Sequence, residues 1–148
     1  MAKHSEIVAD AIEKERAAQE LYASTAAKTS DKVARTLLEA LADDERRHEE
    51  LLRSAQKEEL EQQSIPEWGD LHVTDHLEAE ELTPDASFQE ILIYAAKREE
   101  NARQTYEALA QSSNDEADKR LFERLAADEK GHKYRLERLY DDVVLREN

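Results

Sequence analysis

Glu15 and Tyr22 stand ahead of the run Asp44-Glu45-Arg46-Arg47-His48. At a constant offset of 84 residues, Glu99 and Tyr106 stand ahead of Asp128-Glu129-Lys130-Gly131-His132. Laid over each other without a gap, residues 11–52 and 95–136 agree at 14 of 42 positions, and the acids, tyrosines and histidines are among them. Carboxylates and imidazoles without a thiolate are donors for iron, manganese or zinc. Two segments with one Glu each and two with Glu-x-x-His supply four carboxylates and two imidazoles, the ligand complement of a dinuclear carboxylate site inside a helical bundle. The expected metal ligands are therefore Glu15, Glu45, His48, Glu99, Glu129 and His132. Each His lies three residues past its Glu, nearly one helical turn on, so both side chains face the same way.

Charge balance supports the same reading. Four ionised carboxylates buried together would be strongly unfavourable unless compensated. Two divalent cations cancel them and leave two neutral imidazoles to complete coordination. Tyr22 and Tyr106 follow their glutamates by two turns on the same face, where a phenol could orient a ligand; ordinary core packing is the plainer alternative. Asp44 and Asp128 could hold the second ring nitrogen of a ligating histidine, or simply carry surface charge beside it.

Such ligands need long helices to position them. The chain of 148 residues has only two glycines and two prolines, and Ala, Leu, Glu, Lys, Arg and Gln dominate it. These are good helix formers, so the fold class is all-α. Apolar stripes at helical spacing predict helices over about 5–28, 31–62, 86–111 and 115–141. The stripes read Val8, Ala11, Glu15, Ala18, Tyr22, Ala26; Leu37, Leu41, Glu45, His48, Leu52; Phe88, Ile91 or Leu92, Ala95, Glu99, Ala102, Tyr106, Leu109; and Leu121, Leu125, Glu129, His132, Leu136, Leu139. The acids and histidines fall on the stripe, and a broken local rule of that kind marks a functional site. Ser30-Asp31 and Ser113-Asn114-Asp115 supply capping side chains at the two tight breaks.

Short breaks make antiparallel hairpins of residues 5–62 and 86–141. In each hairpin the two glutamates lie equally far from the turn, so they come to the same height. The segment 63–85, with Pro66, Trp68, Gly69 and Pro84, is long enough to cross the length of a helix of roughly 36 Å. One long crossover between two hairpins in a single domain is the ferritin-like arrangement of a four-helix bundle.

Other features read as ordinary surface. His72 and His76 in the crossover have no counterpart in the repeat, His4 lies near a fraying end, and the Glu-rich stretches 58–61 and 78–81 are solvated charge. Trp68 reads as a plug of the crossover onto the bundle. A formal net charge of −15 repels nucleic acid and anionic lipid. No run approaches the roughly 20 apolar residues of a membrane span. The N-terminal residues form no signal peptide, and a cytoplasmic location is expected. With no cysteine, the chain carries neither a disulfide nor a rubredoxin-type iron site.

Taken together, Glu15…Tyr22, Glu45-x-x-His48, Glu99…Tyr106 and Glu129-x-x-His132 resemble the rubrerythrin branch of the ferritin-like diiron superfamily. Thr83-Pro84-Asp85 at the entry to the third helix and the Tyr140-Asp141-Asp142 tail of the chain extend the resemblance over nearly the whole chain. It implies a non-haem centre of two iron ions on the six ligands, with manganese or zinc as substitutes. It also implies reaction with hydrogen peroxide or dioxygen, peroxidase activity in oxidative-stress defence, and a homodimer or larger assembly. Electrons would come from an external donor such as a rubredoxin-like protein. Where rubrerythrins proper carry a second carboxylate about one turn after the first on the third helix, this chain has Ala102 and Arg103. Glu100 should point about 100° away from the site. The competing readings are a ferroxidase or iron-binding protein, and a structural bundle that metal only stabilises.

Overall fold

The computed structural model describes residues 4–62 and 82–147. Its elements are α1 (His4–Lys28), α2 (Lys32–Gln62), α3 (Phe88–Ser112) and α4 (Glu116–Glu147). There is no strand among the described residues, as the composition predicts. Backbone contacts divide the chain into two compact units, Met1–Leu71 and His72–Asn148. Each holds one helical hairpin. Pro66, Trp68, Gly69, His72, His76 and the acidic stretch 78–81 lie outside the described residues, as does the side chain of His4.

Polar side chains set the helix ends. Asp31 accepts from the backbone N–H groups of Val33 at 2.9 Å and Ala34 at 3.2 Å. Its counterpart Asp115 accepts from Ala117 at 3.0 Å. These bonds satisfy amides that have no intrahelical acceptor and fix where α2 and α4 begin. At α3, Ser87 and Glu90 cap each other's backbone reciprocally. That capping box starts the helix at Phe88, two residues later than its apolar pattern indicates. Just before it, Ala86 N–H donates to Thr83 O at 3.1 Å across the Pro84-Asp85 turn. At the other end α4 runs on to Glu147 instead of stopping near 141. Val143, buried to 6% exposure, continues the stripe of Leu136 and Leu139 by one more turn.

The first hairpin packs Val8, Ala11, Ile12, Ala18, Tyr22 and Ala26 of α1 with Ala34, Leu38, Leu41 and Leu52 of α2, all buried. The second packs Leu92, Ala95, Tyr106 and Leu109 of α3 with Phe122, Leu125, Leu136 and Leu139 of α4. The Tyr106 and Phe122 rings stack with centroids 6.5 Å apart. The stripe read from sequence slips at one matching position in the two hairpins. Leu38 and Phe122 are fully buried, whereas Leu37 and Leu121 are only half-buried. Seven residues return to within roughly 20° of the starting direction, but two steps of four overshoot by about 80°. Counted back from Glu45 and Glu129, positions 38 and 122 therefore face inward. Ala102 is likewise half-buried.

Candidate metal centre

Each hairpin brings one Glu of its first helix beside the Glu-x-x-His of its second. In the first, His48 Nδ1 lies 3.6 Å from Glu15 Oε1 and 3.5 Å from Glu45 Oε1. In the second, His132 Nδ1 lies 3.5 Å from Glu99 Oε2 and 3.6 Å from Glu129 Oε1. The repeat in sequence is thus a repeat in geometry to within 0.1 Å. All six side chains are at most 3% exposed. Within each hairpin, one donor atom from each of the three residues falls within 4.8 Å of the other two.

The separations indicate what such a set can hold. At 3.5–3.6 Å, nitrogen and oxygen are beyond hydrogen-bond distance. Two donors each ~2.1 Å from a common ion, subtending ~115–120° at it, stand that far apart. Two carboxylates and an imidazole buried together are hard and borderline donors that fit a divalent cation such as iron, manganese or zinc. In both sets the histidine presents Nδ1 to the carboxylates, which leaves Nε2 as the ring atom available to a supporting partner.

The neighbouring residues differ between the hairpins. Tyr22 and Tyr106 are both buried, at 2% exposure. Asp44 is half-buried and ion-paired with Arg47 on its own helix. Asp128 is half-buried too, but the residue three positions after it is Gly131. Glu100 turns away from the donor set, as its position next to Glu99 requires. Arg103 donates to it through Nε at 2.9 Å and Nη2 at 2.8 Å, and Lys133 Nζ of the facing helix is 3.6 Å away. Hydrogen bonds from Arg103 hold the Glu100 carboxyl below the usual carboxylate range, and Glu100 in turn raises the guanidinium. Glu100 therefore does not take the place of a second acid one turn after Glu99 on α3.

Two interhelical ties outside the repeated motif flank the donor sets. Gln19 Nε2 of α1 donates to Glu49 Oε1 of α2 at 2.8 Å. At the equivalent positions of the second hairpin stand Arg103 and Lys133, the latter meeting Glu100 across the helices. Burial pushes Glu49 up, but the Gln19 amide and the Arg53 guanidinium outweigh it and hold the carboxyl below its usual range. The available sequence signal was the position itself, since Glu49 and Lys133 each directly follow a histidine of the motif.

Comparison with known proteins agrees with this arrangement. The sequence model of the Rubrerythrin family matches residues 6–140. A solved structure described as a hypothetical protein from Pyrococcus furiosus is similar with a TM-score of 0.76 and 29% identity, covering 93% of this chain and 87% of that one. No curated protein gives a significant match. The fold class is the expected one, all-α and ferritin-like, with four helices in two hairpins. No described helix is long and apolar enough to cross a membrane.

Proposed function

Because the chain belongs to the rubrerythrin family, a family of iron-binding diiron-carboxylate proteins, we propose that it is a non-haem diiron oxidoreductase that reduces hydrogen peroxide with electrons from a separate donor protein. The observation that carries this reading is the pair of buried Glu, Glu, His sets at matching distances, one per hairpin. In the proposal the two sets meet in one dinuclear centre on Glu15, Glu45, His48, Glu99, Glu129 and His132. Two bound iron ions would give two electrons to hydrogen peroxide, which takes up two protons and leaves as two waters.

The side chains have distinct tasks in this scheme. Four carboxylates balance the charge of two divalent cations, so the buried site is neutral when filled. His48 and His132, whose Nδ1 atoms face the carboxylates, would complete the coordination and add no charge. Tyr22 and Tyr106 stand two turns from Glu15 and Glu99 and would orient carboxylates; Asp44 and Asp128 would steady the imidazoles. The apolar residues on either side, among them Leu41, Leu52, Leu125 and Leu136, are buried and keep bulk water from the donor sets. Dioxygen is the alternative oxidant, and a homodimer or larger assembly is expected.

The test is to load the protein with iron, reduce it and mix it with peroxide in a stopped-flow spectrometer. Rapid oxidation at about two irons per chain is expected. Iron that binds but does not react would leave a metal-stabilised bundle. Many irons per chain in a large closed particle would point instead to storage.

A further inference from the structure

The outward face of α4 carries a basic stripe unlike the rest of this acidic chain. Arg120, Arg124, Ala127, Gly131, Tyr134, Arg135 and Arg138 recur at helical spacing and are all exposed. No carboxylate interrupts the stripe; Glu123 and Asp128 lie at its edges and Asp142 at its C-terminal end. Arg120, Arg124 and Arg135 take part in no ion pair among the described residues. On a chain of net charge −15, four arginines on one face are a local reversal of sign.

Two further observations mark the middle of that stripe. Tyr134 is 60% exposed. Arg138 lies over its ring at 5.9 Å and donates to its hydroxyl at 3.2 Å, which presents the aromatic face in a fixed position. Beside it, Gly131 sits in mid-helix, where glycine costs about 1 kcal/mol against alanine. No atom lies within 4 Å of where its Cβ would be, so packing does not demand it. The glycine leaves bare backbone at the surface, one peptide away from His132.

We infer that this stripe is the docking face for a small acidic electron-carrying protein, the donor on which the proposed redox role rests. Charge complementarity selects an acidic partner, and an acidic chain of this size repels a long polyanion. The aromatic ring and the bare backbone let the partner approach closely at the centre. A carrier seated there is separated from the His132 imidazole by one helix, a diameter of ~10–12 Å. Each encounter passes one electron and leaves one oxidised carrier; two encounters restore a centre that has given two electrons away.

The test uses the iron-loaded full chain and a reduced rubredoxin with an acidic surface. The second-order rate of reduction should fall steeply with added salt. Reversing Arg135→Glu together with Arg138→Glu should lower it ~10-fold or more at low salt, and Gly131→Gln several-fold, each measured relative to reduction by a small uncharged mediator. Binding is read independently by titrating zinc-loaded protein with redox-inert, zinc-substituted rubredoxin, which should shift the amide resonances of Gly131, Tyr134 and Arg138. A centre that cycles with the mediator, yet takes electrons from the carrier at a rate indifferent to salt and to both variants, would refute the docking face alone. Amide shifts that grow with the concentration of the chain by itself would assign the stripe to a second copy and overturn the proposal. Failure to cycle even with the mediator would instead count against the redox role, and the zinc-protein titration would still decide the face.

Discussion

The two hairpins present nearly the same interior and very different exteriors. Inward, each offers two glutamates and a histidine with Nδ1 held 3.5–3.6 Å from both carboxylates. Outward, the face of α4 that reads Arg120, Arg124, Ala127, Gly131, Tyr134, Arg138 corresponds on α2 to Thr36, Ala40, Asp43, Arg47, Glu50, Ser54. Four of the five tyrosines belong to the second hairpin. Tyr94, Tyr134 and Tyr140 stand where the first hairpin has Asp10, Glu50 and Gln56. Between α3 and α4 there is an open groove of about 490 Å³, reached by Leu92, Ala96, Leu136 and Tyr140. The counterpart of Ala96 is Ile12, a larger side chain buried to 3% exposure. Buried donors have little freedom, because moving one by an ångström leaves a carboxylate in an apolar core without its counter-charge. Surface positions carry no such penalty, so one copy can acquire a partner's footprint while the interior of both is retained.

The largest effect should come from removing the metal. In the proposed two-ion state, chelation would strip the cations that compensate the buried carboxylates, and at a free ion concentration a thousandfold above Kd each bound ion would contribute ~4 kcal/mol. A fall in Tm of about 10 °C or more is expected by calorimetry. His48→Ala and His132→Ala test the equivalence of the hairpins directly. Each should lower the metal content to about one ion per chain, and a marked inequality between them would show that the matching distances conceal different affinities.

Next in size is the core. Phe122→Ala should destabilise the protein by ~3–5 kcal/mol and Leu38→Ala by ~2–5 kcal/mol in urea titrations. The neighbouring substitutions Leu121→Ala and Leu37→Ala should each cost markedly less. Equal costs within either pair would mean that the shared register slip is not what sets burial.

That slip also shows how much of the molecule could be read from sequence. The buried Glu, Glu, His clusters were legible because polar residues on an apolar stripe violate the helical pattern, and because the violation occurs twice at one offset. The hairpins were legible because Asp31 and Asp115 lie in breaks too short for any other connection. The inward choice between Leu37 and Leu38 was not, since both are leucines and only the accumulated helical angle separates them. The end of α4 was misplaced because Asp141 and Asp142 look like a terminus until Val143 is seen to be buried. The arginine stripe escaped notice for a physical reason too. Exposed charge on a helix is the expected solvated surface, and its arrangement becomes informative only when every position on one face is known to be exposed.

A smaller effect separates the flanking clusters by pH. Glu100 titrates below its ordinary value because Arg103 stabilises its ionised form. Its contribution is therefore complete above the unfolded carboxyl pKa, near ~4.3, and is lost as pH falls through the lower folded value. Glu100→Gln should cost about 1 kcal/mol at pH 7. The difference from the parent should vanish in urea melts at the acid end. In the first hairpin the matching residue is Arg16, whose pair with Glu13 spans 3.9 Å with both side chains more than half exposed. Arg16→Gln should then change stability by less than ~0.5 kcal/mol at any pH in that range.

A last small change has the opposite sign. Gly131→Ala should stabilise the chain by ~0.4–1 kcal/mol, because alanine restricts the unfolded backbone and has the best helix propensity. The added methyl meets no atom within 4 Å. An increase in Tm of about 1–4 °C would check it. A stabilising alanine is the informative outcome, because it would mean that the native chain retains a residue its own fold does not need. A destabilising one would place the reason for the glycine inside the helix and weaken the case for an external partner. Arg47, the matching residue of the first hairpin, fixes the contrast: it is exposed and ion-paired with Asp44, so Arg47→Gly should lose both that pair and helix propensity. The same position would then be worth stability in one copy and access to the backbone in the other.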